Sequence, residues 1–301
     1  DKLADNVTGL YGTEWATSST FPKSDYVLKE GRPVGLVRGL TADGFYTTDD
    51  FTYENGVYTL KEGVADVSSA VFPNYHLHNG MNERPAGQLA YPGMAKFKDL
   101  NDDGIINDDD VDVIGDMTPV HTGGFNINAT YKNFDLGLYF NWSYGNEIYN
   151  VNKLAALYGY KEGAVYENKL SIVKDCYKIY DVVNGELVAL TTPEQLNAAN
   201  ANAKLPLAYS ENGYVSTLGI EDGSYLRLNT LTLGYTLPKS MLQKAGISNL
   251  RVYGSIYNVF TITGYSGIDA EVSTSTSTKT YPQLGMDWGT YPRARSFVLG
   301  V

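Results

Sequence analysis

Gly123-Gly-Phe-Asn-Ile-Asn-Ala-Thr-Tyr131, then Lys132-Asn133, then Phe134-Asp-Leu-Gly-Leu-Tyr-Phe-Asn-Trp-Ser-Tyr144 is the stretch that decides the fold. Side chains alternate faces along a strand, so Phe125, Ile127, Ala129 and Tyr131 share one side. Across a two-residue turn Tyr131 and Phe134 pair directly and point the same way. Phe134, Leu136, Leu138, Phe140 and Trp142 then continue that face, while Asn126, Asn128, Thr130, Asp135, Tyr139, Asn141 and Ser143 occupy the other. One apolar and one polar face, over roughly ten residues per strand with aromatics near the ends, is the pattern of a transmembrane β-barrel. A soluble antiparallel sheet packed on a core gives the same alternation, and this hairpin alone does not separate the two.

Immediately upstream, Asp99-Leu-Asn-Asp-Asp-Gly104-Ile-Ile-Asn-Asp-Asp-Asp110 reads as a cation loop. Oxygen-bearing side chains stand at positions 1, 3 and 5, glycine at 6 and an acid at 12. The expected ligands are Asp99, Asn101, Asp103, the Ile105 carbonyl and Asp110, with Asn107 acting directly or through water and Ile106 tucked inward. Ca²⁺ is the leading ion and Mg²⁺ the alternative, because position 12 is Asp rather than the bidentate Glu. An Asp/Asn/Gly-rich stretch is more commonly a solvated turn; here the full ligand spacing is met. His76 and His78 have no carboxylate or third histidine close by and read as ordinary loop residues.

The 301 residues carry 34 acids against 23 bases, a net charge of −11 that argues against nucleic acid as a partner. No apolar run reaches the ~18 residues of a membrane helix, which leaves a barrel open. The lone Cys176 excludes an internal disulfide framework. Twenty-five tyrosines suit both interfacial girdles and sugar-facing surfaces. Asp1-Lys-Leu-Ala-Asp5 has neither the basic nor the apolar region of a signal peptide, so localisation has to come from architecture.

Residues 1–121 read as loop-rich, with short strands at Tyr26–Leu28, Val34–Leu40 and Gly56–Leu60. Residues 122–301 carry five strand candidates. Between them, 145–224 holds weakly helical spacing at Val151–Tyr160 and Tyr166–Tyr180 and a capped helix from Thr192 through about Ala203. Leu226 and Leu228 differ in parity from Leu231, Leu233 and Tyr235, which predicts a bulge near Asn229-Thr230. Pro238–Ala245 reads as a short helix stopped by Gly246. Leu250, Val252 and Ile256 continue the apolar face against Arg251, Tyr253, Ser255 and Tyr257, and Asn258 interrupts it before Phe260 and Ile262. Tyr291–Val301 is the last strand. Short connections at Lys132-Asn133 and Pro238–Ser248 alternate with the long ones at 145–224 and 263–291. In an outer-membrane barrel that places the long loops and residues 1–121 outside the cell and the C-terminus in the periplasm. Five strands cannot close a barrel.

Gly31-Arg-Pro-Val-Gly35, Lys96–Gly104, Gly124–Phe140, Ser143-Tyr-Gly-Asn-Glu-Ile-Tyr-Asn150, Glu221-Asp-Gly-Ser-Tyr-Leu-Arg-Leu228, Leu231–Lys239, Leu250-Arg-Val-Tyr253, Asn258-Val-Phe260 and Tyr291-Pro-Arg-Ala-Arg295 together resemble the C-terminal part of the SusC/RagA family of TonB-dependent outer-membrane transporters from Bacteroidetes. The resemblance implies an all-β fold, the last five strands of a 22-stranded barrel whose N-terminal plug is absent here. It also implies location in the bacterial outer membrane, a SusD-like surface lipoprotein that lids the extracellular loops, and energy supplied through TonB. The ligand would be an oligosaccharide or a peptide, with no catalysis in the barrel. The other reading is a calcium-stabilised secreted or surface β-protein, either a glycan-binding module or an adhesin. An enzyme ranks third, since no nucleophile set, zinc motif or phosphate loop is evident.

Overall fold

The computed structural model describes residues 8–13, 15–16, 20–72, 84–158, 170–208, 214–243, 246–272 and 284–301. It divides into two compact units: Asp1–Asp116 with Tyr149–Ile220 and Ser275–Gln283, and Met117–Ile148 with Glu221–Thr274 and Leu284–Val301.

The second unit is an antiparallel five-stranded sheet of β1 (His121–Tyr131), β2 (Phe134–Tyr144), β3 (Tyr225–Thr236), β4 (Arg251–Thr263) and β5 (Ser296–Gly300), in that order. The sheet is open, with β1 and β5 at its two edges. The turn is the expected two residues, with Lys132 in the left-handed region at φ +54°. Phe125 pairs with Phe140, Ile127 with Leu138, Ala129 with Leu136 and Tyr131 with Phe134. The face continues through Phe140–Leu228, Leu138–Leu231 and Leu136–Leu233, then Leu228–Phe260 and Leu231–Ile256, then Ile256–Phe297 and Gly254–Leu299. Every strand therefore turns its apolar side the same way.

Two irregularities keep that face intact. The register of β2 on β3 jumps between Tyr139 and Phe140, leaving Asn229 as the extra residue of a bulge, as the parity change predicts. On β4 the pairing slips between Tyr257 and Phe260, where Asn258 takes φ +52°. This second bulge also shortens the last strand. The Asn258 and Val259 carbonyls accept from the Arg295 guanidinium at 3.2 and 2.6 Å, and Asn258 Nδ2 donates to the Arg293 carbonyl. The ladder that the sequence extends back to Tyr291 starts only at Ser296.

At the other end β1 starts at His121, two residues earlier than the alternation. Trp142 Nε1 donates to His121 Nδ1 at 3.0 Å and the His121 ring stacks on Tyr144 at 5.1 Å. Gly123 is opposite Trp142, and a Cβ there would lie 2.3 Å from the indole, so only glycine lets the ring lie flat across the strand. Phe125 stacks on Phe140 at 4.6 Å, a contact worth ~0.5–1.5 kcal/mol beyond area burial.

The first unit is a set of small sheets with a common core. Gly9–Tyr11, Tyr26–Leu28, Leu36–Gly39 and Asp112–Asp116 form one antiparallel sheet. Residues 214–216 join it through bridges from Tyr214 to Phe21 and from Ser216 to Leu40. Leu36, Leu40, Tyr46, Tyr58, Tyr91 and Leu154 are fully buried. The helix Pro193–Asn200 carries the expected Thr192/Gln195 capping box but ends before Ala203. Its last residue is the reason: the Asn200 side chain donates to the Leu196 and Lys178 carbonyls and accepts from the Lys178 N–H, which turns the end of the helix into a staple. Val151–Tyr158 is helical, whereas Ser171–Asp175 is only a 3₁₀ turn, because Asp175–Tyr177 is drawn into a bridge with Leu205. The helix after Pro238 covers Lys239–Leu242. No described helix is long and apolar enough to cross a membrane, which has no bearing on strands.

Asp25 is fully buried in this unit and accepts from the Thr13 N–H and hydroxyl at 2.9 and 2.6 Å. Desolvation outweighs those bonds and pushes its carboxyl up to about 6.

Two tests follow from this architecture. Leu138→Arg, at the middle of the apolar face, should destabilise folding into lipid vesicles by ~2–4 kcal/mol. Asn128→Arg, one position along from Leu138's partner and on the polar face, should cost far less; equal penalties would contradict the face assignment. For Asp25 the folded carboxyl binds its proton more tightly than the unfolded one. Stabilisation is thus complete below the unfolded value near 3.8 and is lost as pH rises through about 6. The full effect is about 3 kcal/mol. Hydrogen exchange corrected for intrinsic rates should show Gly9–Tyr11 and Tyr26–Leu28 better protected at pH 5 than at pH 7. Asp25→Asn should flatten that difference.

Candidate functional site

The acidic loop folds as a series of side-chain turns. Asp99 Oδ2 accepts from the Gly104 N–H at 2.7 Å, Asn101 Oδ1 from the Asp103 N–H at 3.0 Å, and Asp103 Oδ1 from the Ile105 N–H at 2.8 Å. Asn101 Nδ2 also donates to Asp103 Oδ2 at 3.0 Å, which ties positions 3 and 5 together. Asp102 and Gly104 take left-handed φ values of +58° and +84°; the glycine makes the sharp turn required at position 6. Asp99, Asn101 and Asp103 thus line one turn.

Asp110 does a different job. It is fully buried, and its two oxygens accept from the Leu100 and Asn107 N–H groups at 2.7 and 2.8 Å, so it ties the end of the loop to its beginning. The Ile105 carbonyl accepts from Asn107 Nδ2 at 3.1 Å. Ile106 is buried, as its position 8 requires, while Ile105 is half exposed, and both pair with Asp66–Val67 as a short parallel ladder. Among the described residues no three His, Cys, Asp or Glu side chains converge closely enough to hold a metal by themselves. A cation here depends equally on Asn101 and the Ile105 carbonyl. The chemistry of this donor set, hard oxygen throughout, fits Ca²⁺ or Mg²⁺ and no softer metal.

On the polar face of the sheet two arginines organise the remaining charge. Arg251 forms a bidentate pair with Asp135, its Nε 2.9 Å from Oδ1. It reaches across β3 to do so, passing over Gly234, where a Cβ would lie 2.4 Å from both partners. The sequence already turns Arg251 to this face; the partner comes from the register. Arg227 is the residue that the sequence reading passed over. It is 1% exposed and its partners are Asp269, Glu271 and Thr261. Its signal was its place between Leu226 and Leu228, which turns it inward by alternation. His76, His78 and the Ser273–Thr278 run lie outside the described residues.

No family model matches the chain. TonB-dependent receptor P3 of Formosa agariphila is 30% identical over 280 residues, covering 91% of this chain and 22% of the relative. TonB-dependent receptor P26 of the same organism is 30% identical over 69% of the chain, and TonB-dependent receptor SusC of Bacteroides thetaiotaomicron is 33% identical over 42%. The chain spans about a fifth of the length of the first two of these curated relatives. Among solved structures, the RagAB peptide transporter superposes with a TM-score of 0.56 over 93% of this chain and 24% of the other, at 19% identity. The RagAB peptide importer in its closed-closed state gives 0.55 at 20%. The apolar face is thus a lipid-facing wall in the bacterial outer membrane, and the chain belongs to the SusC/RagA family of TonB-dependent outer-membrane transporters, as part of their β-barrel.

Proposed function

We propose that this chain is part of a transporter that imports a nutrient oligomer, a glycan or a peptide, across the outer membrane. Energy enters through TonB, and a SusD-like surface lipoprotein lids the extracellular side. The observation that carries this reading is the 30% identity to a TonB-dependent receptor over 91% of the chain. The aligned apolar face supports it independently, because a wall with one greasy and one polar side separates lipid from an aqueous lumen. On this reading residues 1–121, 145–224 and 263–291 form the extracellular crown, and the barrel does no covalent chemistry.

The same reading gives the acidic loop its role. Asp99, Asn101, Asp103, the Ile105 carbonyl and Asp110 hold one Ca²⁺, with Mg²⁺ the alternative. The ion offsets the charge of a segment that also carries Asp102, Asp108 and Asp109, and it stiffens the approach to β1. Extracellular calcium modules bind with Kd on the order of 10⁻⁴–10⁻³ M, and the Asp at position 12 is consistent with that range.

Two measurements test these assignments. Deleting the gene for the full-length protein should abolish growth on the imported oligomer while leaving growth on its monomer intact. Deleting tonB or the partner lipoprotein gene should do the same. Arms with oligosaccharides and with peptides as sole nutrient identify the class; unimpaired growth on all of them would refute import. For the ion, calorimetric titration of the purified protein with Ca²⁺ should show one saturable site that Asp103→Ala removes. Titration heats identical in the two proteins would discard the site.

A further inference from the structure

Leu226 and Leu228 pair with Trp142 and Phe140 on the lipid side, so alternation turns Arg227 to the inner face of β3. There it meets two acids from the segment that follows β4. Its Nη2 pairs with Asp269, its Nη1 lies 3.2 Å from Glu271 Oε2, and its Nε donates to Thr261 Oγ1 at 3.0 Å. Arg293, from the approach to β5, closes the set at 3.0 Å from Glu271 and 3.8 Å from Asp269. Asp269 also accepts from the Glu271 N–H at 2.9 Å, which fixes the turn presenting both acids. Two arginines and two acids balance, as burial of the innermost pair requires.

Uncharged contacts reinforce the same placement. Tyr265, Ala270 and Val272 are buried in one cluster with Ile148, against the inner-face side chain of Tyr225. Ser266 donates through its N–H and its hydroxyl to Glu221, and the Tyr265 hydroxyl donates to the buried Asp287 at 2.6 Å. The chain leaving Thr263 therefore doubles back over the polar face instead of extending away from it.

We propose that residues 264–272 are a strap latched across the inner face of β3 and β4, that Arg227 is the latch, and that the strap narrows the lumen beside them. The narrowing role rests on the import reading above; the latch does not. Removing one member of the set strands a buried charge, so the strap is held or released as a unit. Release exposes Arg227 to the lumen and widens the passage.

The test is hydrogen exchange on the full-length protein in detergent micelles, with heat-modifiable gel migration as the check that the barrel is folded. The Asp269→Asn/Glu271→Gln double variant should raise exchange in 264–272 by roughly tenfold or more while 225–236 and 251–263 keep their protection. Arg227→Lys keeps the charge but loses the fork that spans both acids, and should give an intermediate rate. Unchanged exchange in 264–272 in the double variant, or exchange raised equally across the strands, overturns the latch. Uptake by the same variants in cells tests the narrowing: faster entry of the longer oligomers supports it. Unchanged or slower entry, with the strap freed in micelles, refutes the narrowing and leaves import itself standing.

Discussion

Backbone amides that face hydrocarbon have no water to bond, so a membrane-spanning sheet must pair every one of them with a neighbouring strand. The rest of the sheet unit depends on that constraint. Once the ladder is fixed, side-chain period is fixed at two, and a one-residue slip would exchange lipid-facing and lumen-facing sets along a whole strand. The β3 sequence breaks parity between Leu228 and Leu231, and the ladder absorbs the break by leaving Asn229 out of register against β2. β4 answers at the same height with Asn258 in the left-handed region. Asparagine suits the left-handed position at 258 better than most residues do. The two bulges are what allow five strands of unequal pattern to present one continuous apolar surface.

Much of this was legible beforehand because alternation and turn length are local properties. The hairpin register, the Asn229 bulge and the inward Arg251 follow from parity alone. Less legible was anything that depends on a partner far along the chain. The sequence starts the last strand at Tyr291, five residues before the ladder begins at Ser296, because nothing near Tyr291 announces that Arg295 will take the Asn258 and Val259 carbonyls. The helix after Thr192 was drawn too long because Asn200 finds its partner at Lys178.

Two hairpins in the first unit are legible only in part: Gly56–Leu60 reads as a strand, but its partner Phe51–Glu54 and the whole of the second hairpin do not. Phe51–Glu54 with Val57–Leu60 turns on Asn55-Gly56, and Tyr180–Val183 with Glu186–Ala189 turns on Asn184-Gly185. In both the two central residues have positive φ, the geometry that Asn-Gly favours. Both Asn-Gly pairs stand in the sequence as hairpin signals. In the acidic loop, spacing identified the donors but not their division of labour: side-chain turns at Asp99, Asn101 and Asp103 shape the bend, whereas Asp110 closes the loop through backbone amides.

The charges on the inner face follow from the same constraint as the greasy outer one. A strand that must place apolar groups outward at every second position has only the intervening positions for charge. Arg227 and Arg251 both stand there, yet their surroundings differ. Arg251 and Asp135 are more than a third exposed, and an ion pair that wet contributes little to stability; its geometry is secured by Gly234, which clears the path between strands. Arg227 is almost wholly buried and needs full compensation. The strands supply the Thr261 hydroxyl and the face of the Tyr225 ring, neither of which carries a negative charge, and Asp269 and Glu271 of the following segment provide the acids. A buried arginine on a strand thus ties the segment after β4 back onto the polar face of the sheet.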